Sequence, residues 1–96
     1  MADKTQRKVN KVLRGFNKGF AKDIAPYNAF KLKQFRRVVR DEYESWFLVQ
    51  LYYNDTLVNA KWFDTLEITG VDNQLVGREF FWFVNNEVAR GVKLLT

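Results

Sequence analysis

The side chains in this chain that could do chemistry are mostly cations, and they are concentrated toward the N-terminus. Residues 1–40 carry twelve Lys and Arg against two carboxylates, a net charge of +10, whereas residues 41–96 carry four against nine, a net charge of −5. Clustered cations are the groups with which proteins bind phosphates and other anions. The segregation predicts either an acidic partner for the basic part or contact between the two parts.

A predicted amphipathic helix over residues 3–22 carries seven of these cations. Its apolar residues recur at the helical period of three or four: Val9, Val12, Leu13, Phe16 and Phe20. The cations fall on the opposite face: Lys4, Arg7, Lys8, Lys11, Arg14, Lys18 and Lys22. This cationic face is open to three interpretations: a solvated surface, a site for nucleic acid, or a helix lying on a membrane surface. The membrane interpretation is the weakest, because the rest of the chain needs the apolar stripe as core.

The N-terminal helix is predicted to depend on the rest of the fold. Cations four residues apart, such as Arg7 and Lys11, repel each other on a helix. Gly15 and Gly19 each cost the helix about 1 kcal/mol relative to Ala. The Val, Leu and Phe stripe must therefore pack against other elements for the helix to be stable.

A second cationic group, Arg36, Arg37 and Arg40, lies on a predicted strand over residues 34–40. Strand alternation places Arg36 and Arg40 on one face and Arg37 on the other. Such a strand is typical of a sheet edge, where charges discourage aggregation, and the same arginines could bind phosphate. No signature of a nucleic-acid recognition module accompanies them.

Catalysis is not expected from this composition. The chain has no histidine and no cysteine, which removes the commonest general base, the usual nucleophile pairs and nearly all transition-metal sites. The five glycines form neither a dinucleotide fingerprint nor a P-loop. Asp41, Glu42 and Glu44 cluster at a predicted turn, where solvated carboxylates are ordinary. We therefore expect no enzyme, no cofactor, no metal site and no small-molecule substrate.

Beyond residue 30 the sequence becomes rich in Val, Phe, Tyr and Trp, which favours strands. Further strands are predicted at 46–53, 56–63, 78–84 and 87–95, with 66–69 as a possible short one and two-residue turns at 54–55 and 85–86. Residues 55–66 also fit a helix, since Val58, Trp62 and Leu66 recur every four positions, but the turn signal favours the strand. The prediction is an α+β fold in one domain, 1–96, with the N-terminal amphipathic helix packed on an antiparallel meander of about five strands within 30–95.

Two of the predicted strands, 46–53 and 78–84, are apolar on both faces. One helix can cover only one face of a small sheet, so the other face needs a partner. Three solutions are open: a sheet that rolls partly on itself or is covered by residues 64–77, a second copy of the chain, or a ligand such as stacked bases. The aromatic residues predicted to form an interface are Tyr53, Phe81, Trp82 and Phe83.

The chain resembles small uncharacterised proteins of phages and mobile elements of Gram-positive bacteria. The resemblance covers about two-thirds of the chain in loosely spaced segments: Asn10-Lys11-Val12-Leu13, Asn17-Lys18, Lys22-Asp23, Phe30, Tyr52, Asp55 and Phe63-Asp64-Thr65. It assigns no activity to any residue. What it implies is a nucleic-acid-associated role or an interaction with host proteins.

The function predicted first is therefore a non-catalytic interaction module that binds another protein or forms a homodimer through an aromatic sheet face. The alternative is a nucleic-acid-binding accessory protein that uses the basic helix face and the arginines of 36–40. No stretch reaches the roughly 18 consecutive apolar residues of a membrane span. The basic N-terminus lacks the apolar region of a secretory signal. We expect a cytoplasmic protein.

Overall fold

The computed structural model describes residues 3–71 and 74–95 and contains helices on a three-stranded antiparallel sheet. The elements in chain order are α1 (Lys4–Ala21), a single 3-10 turn (Tyr27–Ala29), β1 (Phe30–Val39), β2 (Ser45–Tyr53), β3 (Thr56–Asp64), α2 (Thr65–Thr69) and α3 (Arg78–Leu95). The α+β class and the N-terminal helix packed on an antiparallel sheet are confirmed. The predicted number of strands is wrong, because the described residues form three rather than five.

Helix α1 begins where the sequence predicts. The Asp3 carboxylate accepts a hydrogen bond of 2.8 Å from the Gln6 backbone N–H, which satisfies one of the free donors of the first turn. The buried side of α1 holds Val9, Val12 and Leu13, all members of the predicted stripe. Phe16 and Phe20, the other two residues of the stripe, are partly buried and pack against the core.

The strands are ordered β1-β2-β3, and the turn between β2 and β3 is the predicted one. Asn54 and Asp55 both have positive φ, 48° and 71°, as a tight two-residue hairpin demands. Thr56 then pairs with Tyr53, and the pairing runs on to Asp64 opposite Trp46. Residues 56–64 are thus a strand, and the alternative helix over 55–66 is wrong.

The predicted fourth and fifth strands and the turn at 85–86 are wrong, because residues 78–95 form helix α3. The buried residues of α3 recur at helical spacing: Phe80, Phe83, Val84, Val88 and Gly91. Phe81 and Trp82 hide this period in the sequence, since they are apolar but lie on the exposed side. Residues 66–69 are likewise helical, in α2, where Asp64 and Glu67 form a reciprocal capping box.

One core cluster joins the helices to a single face of the sheet, which we call the inner face. The sheet contributes alternate residues to it: Phe30, Leu32, Phe47, Val49, Leu51 and Phe63. Phe63 meets Phe80 and Phe83 of α3 edge-on, with ring centroids 5.0 and 5.2 Å apart. The opposite face, here the outer face, has no described helix packed on it.

Candidate nucleic-acid interface

The outer face is built from the strand residues that alternate with the core positions. Its members follow from the register of the three strands: Lys31, Lys33, Arg36 and Val38 of β1; Trp46, Leu48, Gln50 and Tyr52 of β2; Leu57, Ala60, Trp62 and Asp64 of β3. On the central strand these residues are only half-buried, whereas Phe47, Val49 and Leu51 beside them are fully buried. The outer face is therefore an open surface with half-buried apolar groups.

Cations line the β1 side of the outer face. Lys31, Lys33 and Arg36 lie opposite Tyr52, Gln50 and Leu48 of the central strand. The Lys33 ammonium lies 5.2 Å from the centre of the Tyr52 ring, so cation and ring form one surface.

Asp64 is the one carboxylate among the outer-face residues defined above. Its Oδ1 accepts the Glu67 backbone N–H at 2.8 Å as the N-cap of α2. Because Lys31, Lys33 and Arg36 outnumber this one carboxylate, the outer face carries a net positive charge.

A bulge in β1 decides which arginines face outward. The register with β2 shifts between Gln34 and Arg36, which leaves Phe35 as an extra residue with 63% of its surface exposed. If Phe35 were paired regularly, without a bulge, alternation would turn Arg36 inward and Arg37 outward. The bulge thus places Arg36 in line with Lys31 and Lys33.

Arg40, just beyond the end of β1, also belongs to the outer side. Its guanidinium lies 6.0 Å from the ring centre of Trp46, an outer-face residue. It also approaches Glu44 at 3.9 Å, a long and exposed ion pair that leaves its charge available. Arg36 and Arg40 thus lie on the same side, as alternation predicts.

Arg37 is turned inward and is engaged by the fold. Its guanidinium donates to both carboxylate oxygens of Asp3 at 3.1 and 2.9 Å and to Ser45 Oγ at 3.0 Å. It also lies 5.3 Å from the Phe47 ring centre, and its side chain is 16% exposed. This hydrogen-bonded partner lowers the pKa of Asp3, with help from the Gln6 N–H. Predicted as an anion contact, Arg37 instead joins the start of α1 to the sheet.

Helix α1 runs beside the free edge of β1. Asn17 donates to the Leu32 carbonyl at 2.9 Å and accepts from the Leu32 N–H at 2.7 Å, so its amide takes the place of a neighbouring strand. Nearer the start of α1, the Gln6 amide donates to Gln34 at 2.6 Å. The edge of β1 is therefore covered by polar side chains of the helix.

This contact fixes where the helix cations point. With Asn17 facing β1, the helical period places Arg14 nearest the β1 edge, Arg7 and Lys18 next to it, and Lys8 on the far side of the helix. The remaining predicted contacts lie between Lys18 and Lys8 around the helix and are exposed: Lys4, Lys11 and Lys22. The seven cations therefore form one exposed band, of which only the margin nearest β1 adjoins the sheet.

The helix and the outer face meet at a cleft of about 540 Å³. Lys18 of α1 lines it together with Lys31, Lys33 and Tyr52 of the sheet. A helix cation thus lies beside Lys31 and Lys33, two residues that the sequence analysis did not name as contacts. The signal was present, because both lysines alternate with the core residues Phe30 and Leu32 and so extend the strand upstream of residue 34.

The four predicted interface aromatics do not form one surface. Phe83 is buried in the core, and Tyr53 packs against Phe30 with ring centroids 5.1 Å apart. Phe81 and Trp82 are exposed, but on α3 rather than on a sheet, and Arg78 lies 5.2 Å from the Trp82 ring centre. The exposed tryptophan of the outer face is Trp62, which was not predicted as a contact.

Within 3–71 and 74–95 no three acidic side chains come together in a way that could hold a metal ion. Over the same residues no helix has the length and apolarity needed to cross a membrane. No protein-family model, curated protein or solved structure matches this chain.

Proposed function

We propose that the protein binds single-stranded nucleic acid on its outer face. The observation that carries the proposal is the line of Lys31, Lys33 and Arg36 on the same face as the exposed Trp62, a face on which one carboxylate, the α2 cap, is described. Cations that track a backbone next to rings that stack bases are the two components of sequence-tolerant single-strand binding.

The arrangement favours a single strand over a duplex. Trp62 lies two strands away from the cationic line, roughly 10 Å across the sheet. A phosphate backbone along β1 can therefore direct its bases across β2 onto the tryptophan. Base faces are available for such stacking only when the bases are unpaired.

The cleft supports an extension of the same path. Lys18 of α1 opens onto the same cavity as Lys31 and Lys33, so phosphates that leave the outer face meet a further cation at the β1 edge. Arg14 follows on the same side of the helix. The role of α1 in this proposal is limited to that flank, and Arg37 has no part in it.

Self-association through the outer face is disfavoured by charge. Two copies facing each other would bring two surfaces rich in Lys and Arg together, and like charges at an interface are costly. A protein contact is supported elsewhere, at the exposed Phe81 and Trp82 of α3. We therefore propose protein binding or dimerisation through α3 as the second candidate function, to be tested by light scattering of wild type and Trp82→Ser.

The test of single-strand binding is a salt titration with fluorescent oligothymidylate and oligouridylate and with a duplex of matched length. We expect binding to the single strands that weakens steeply with salt, and weaker binding to the duplex. Trp62→Ser should lower the affinity about tenfold, in keeping with roughly 1–3 kcal/mol for one stacked base.

Two matched controls sharpen the test. Trp82→Ser removes the other exposed tryptophan and should leave the affinity unchanged. Lys33→Gln with Arg36→Gln should reduce the slope of log affinity against log salt by about 1.4, whereas Lys8→Gln with Lys11→Gln should reduce it far less. Salt-independent binding, or equal losses in the two tryptophan variants, would refute the proposal.

A further inference from the structure

A second cavity, an apolar groove, lies on the side of α1 away from β1. It is bounded by α1, by α2 and by the described residues 70–71 and 74–76, and its volume is about 1050 Å³. Phe16 and Phe20 of α1 and Leu66 and Val76 across from them give it an apolar lining. Neither the core nor the outer face accounts for this groove.

Gly15 and Gly19 lie one turn apart on α1 and open into the groove. Among residues 3–71 and 74–95, no atom beyond the helix backbone and the adjacent residues lies within 4 Å of a Cβ built at either position. The packing of this part of the chain therefore does not require a glycine at either place, although glycine weakens a helix. What two missing Cβ atoms provide is a surface that another backbone can approach closely.

The segment opposite α1 leaves apolar side chains in solvent. Leu75 is 83% exposed, and Leu66 and Val71 are about half exposed, all three lining the groove. Together with Phe16 and Phe20, which are only partly buried, they form a continuous apolar surface of the kind that marks interaction sites.

The charge at the rim indicates the nature of the occupant. Lys8 and Lys11 line the groove on the α1 side, and Asp23 is the one carboxylate among the described lining residues. A second copy of this chain would bring the same lysines against each other. An occupant with acidic flanks is complementary to them.

We propose that the groove docks an amphipathic α-helix of a partner protein. The apolar stripe of that helix packs over Gly15 and Gly19, and its acidic flank meets Lys8 and Lys11. The α1 residues that line the groove run from Lys8 to Phe20, roughly 18 Å of helix, which is long enough for the helix-in-groove mode of recognition. The groove and the outer face lie on opposite sides of the β1–α1 contact, so this proposal is independent of nucleic-acid binding.

The test uses the full chain and a displayed library of peptides of ~18 residues with a fixed Ala/Leu stripe and flanks randomised among Glu, Lys and Gln. We expect selection of acidic flanks, and amide shifts on binding confined to residues 8–23 and 66–76. Failure to select any peptide, selection of basic or neutral flanks, or shifts on α3 or the outer face would overturn the proposal. One-to-one saturation by an apolar dye without peptide binding would make the groove a small-molecule pocket and overturn it equally.

Charge reversal on one helix supplies a matched control. At physiological salt, Lys8→Glu with Lys11→Glu should weaken the selected peptide about tenfold, whereas Arg7→Glu with Arg14→Glu, the same change in net charge, should weaken it less than about twofold. Equal weakening by both pairs would show that only the overall charge matters and would contradict the docking site.

The glycines give a test that separates docking from folding. Gly15→Ala with Gly19→Ala should raise the unfolding temperature, because nothing described in the chain obstructs the new methyl groups. The same variant should bind the selected peptide about tenfold more weakly, since the methyl groups hold the partner backbone away. Unchanged affinity in this stabilised variant would overturn the close approach on which the proposal depends.

Discussion

The two faces of the sheet use the same three strands but are completed in different ways. The inner face presents phenylalanines and aliphatic side chains that the helices bury fully. The outer face presents half-buried rings next to a line of cations. Neighbouring residues therefore differ sharply in role, as Phe63 and Trp62 show. The contacts that stabilise the fold are therefore concentrated on one side of this sheet, which leaves the other side available for binding.

The largest expected effect is on the inner face. Phe63→Ala removes a fully buried ring that contacts Phe80 and Phe83, and should lower the free energy of unfolding by about 3–5 kcal/mol. Trp62→Ala, one residue away on the outer face, should lower it less, by about 2 kcal/mol, because Trp62 is 40% exposed. Urea denaturation of both variants measures the contrast, and equal losses would show that the outer face is also core.

Arg36 and Arg37 sharpen the comparison within a single dipeptide. Arg37→Gln breaks the bonds to Asp3 and Ser45 and should lower the urea midpoint, with single-strand affinity unchanged when measured on folded protein. Arg36→Gln should leave the midpoint unchanged and lower the affinity about threefold at low salt. The opposite assignment of the two effects would show that the bulge does not orient these side chains as described.

Two substitutions in helix α1 are expected to stabilise the fold rather than destabilise it. Gly15→Ala and Gly19→Ala should each raise the free energy of unfolding by about 0.5–1 kcal/mol, since neither new methyl group meets a described atom. Gly77→Ala is the matched contrast, because a Cβ there collides with the backbone carbonyl of Glu67, and it should destabilise the fold. Calorimetry of the three variants checks the signs, and destabilisation by Gly15→Ala would show that the groove is filled by the chain itself.

The smallest effect expected is a loss of stability in acid. Hydrogen bonds from Arg37 and the Gln6 N–H lower the pKa of Asp3, while burial of Glu87 is outweighed by hydrogen bonds from Arg90 and Asn59, so its pKa is lowered too. A carboxylate whose pKa is lower in the folded state stabilises the fold when the pH is above the ordinary carboxylate pKa of about 3.9–4.3. This stabilisation is lost as the pH falls through the lowered pKa of the folded state. Asp3→Asn should flatten the curve of unfolding midpoint against pH below that range, and an unchanged curve would remove Asp3 from this account.

The sequence predicted the parts of the fold that local patterns determine. The α1 stripe has a clean helical period, and Asn54-Asp55 has the residue types that accept positive φ, so both were predicted correctly. Helix α3 was missed because Phe81 and Trp82 make its exposed side look like a buried strand. Its period becomes visible only when the buried residues are known.

The candidate site was only partly accessible from sequence for a related reason. The presence of a cationic strand was predicted, but its start at Phe30, and hence Lys31 and Lys33, was not. The inward orientation of the Arg37 side chain depends on its hydrogen bonds to Asp3, a residue 34 positions away in the sequence. Trp62 lies on the same face as the β1 cations, and no described helix covers it. This exposure arises because the described helices pack on the inner face. No local pattern encodes that choice.

The most direct test of the central claim is a map of backbone amide shifts in the full chain on titration with oligothymidylate at low salt. We expect shifts concentrated at residues 31–36, 46–52 and 60–62, with further shifts near Lys18 and little change in α3. Shifts confined to α3, or to the part of α1 that carries Lys8 and Lys11, would contradict the assignment of nucleic-acid binding to the outer face.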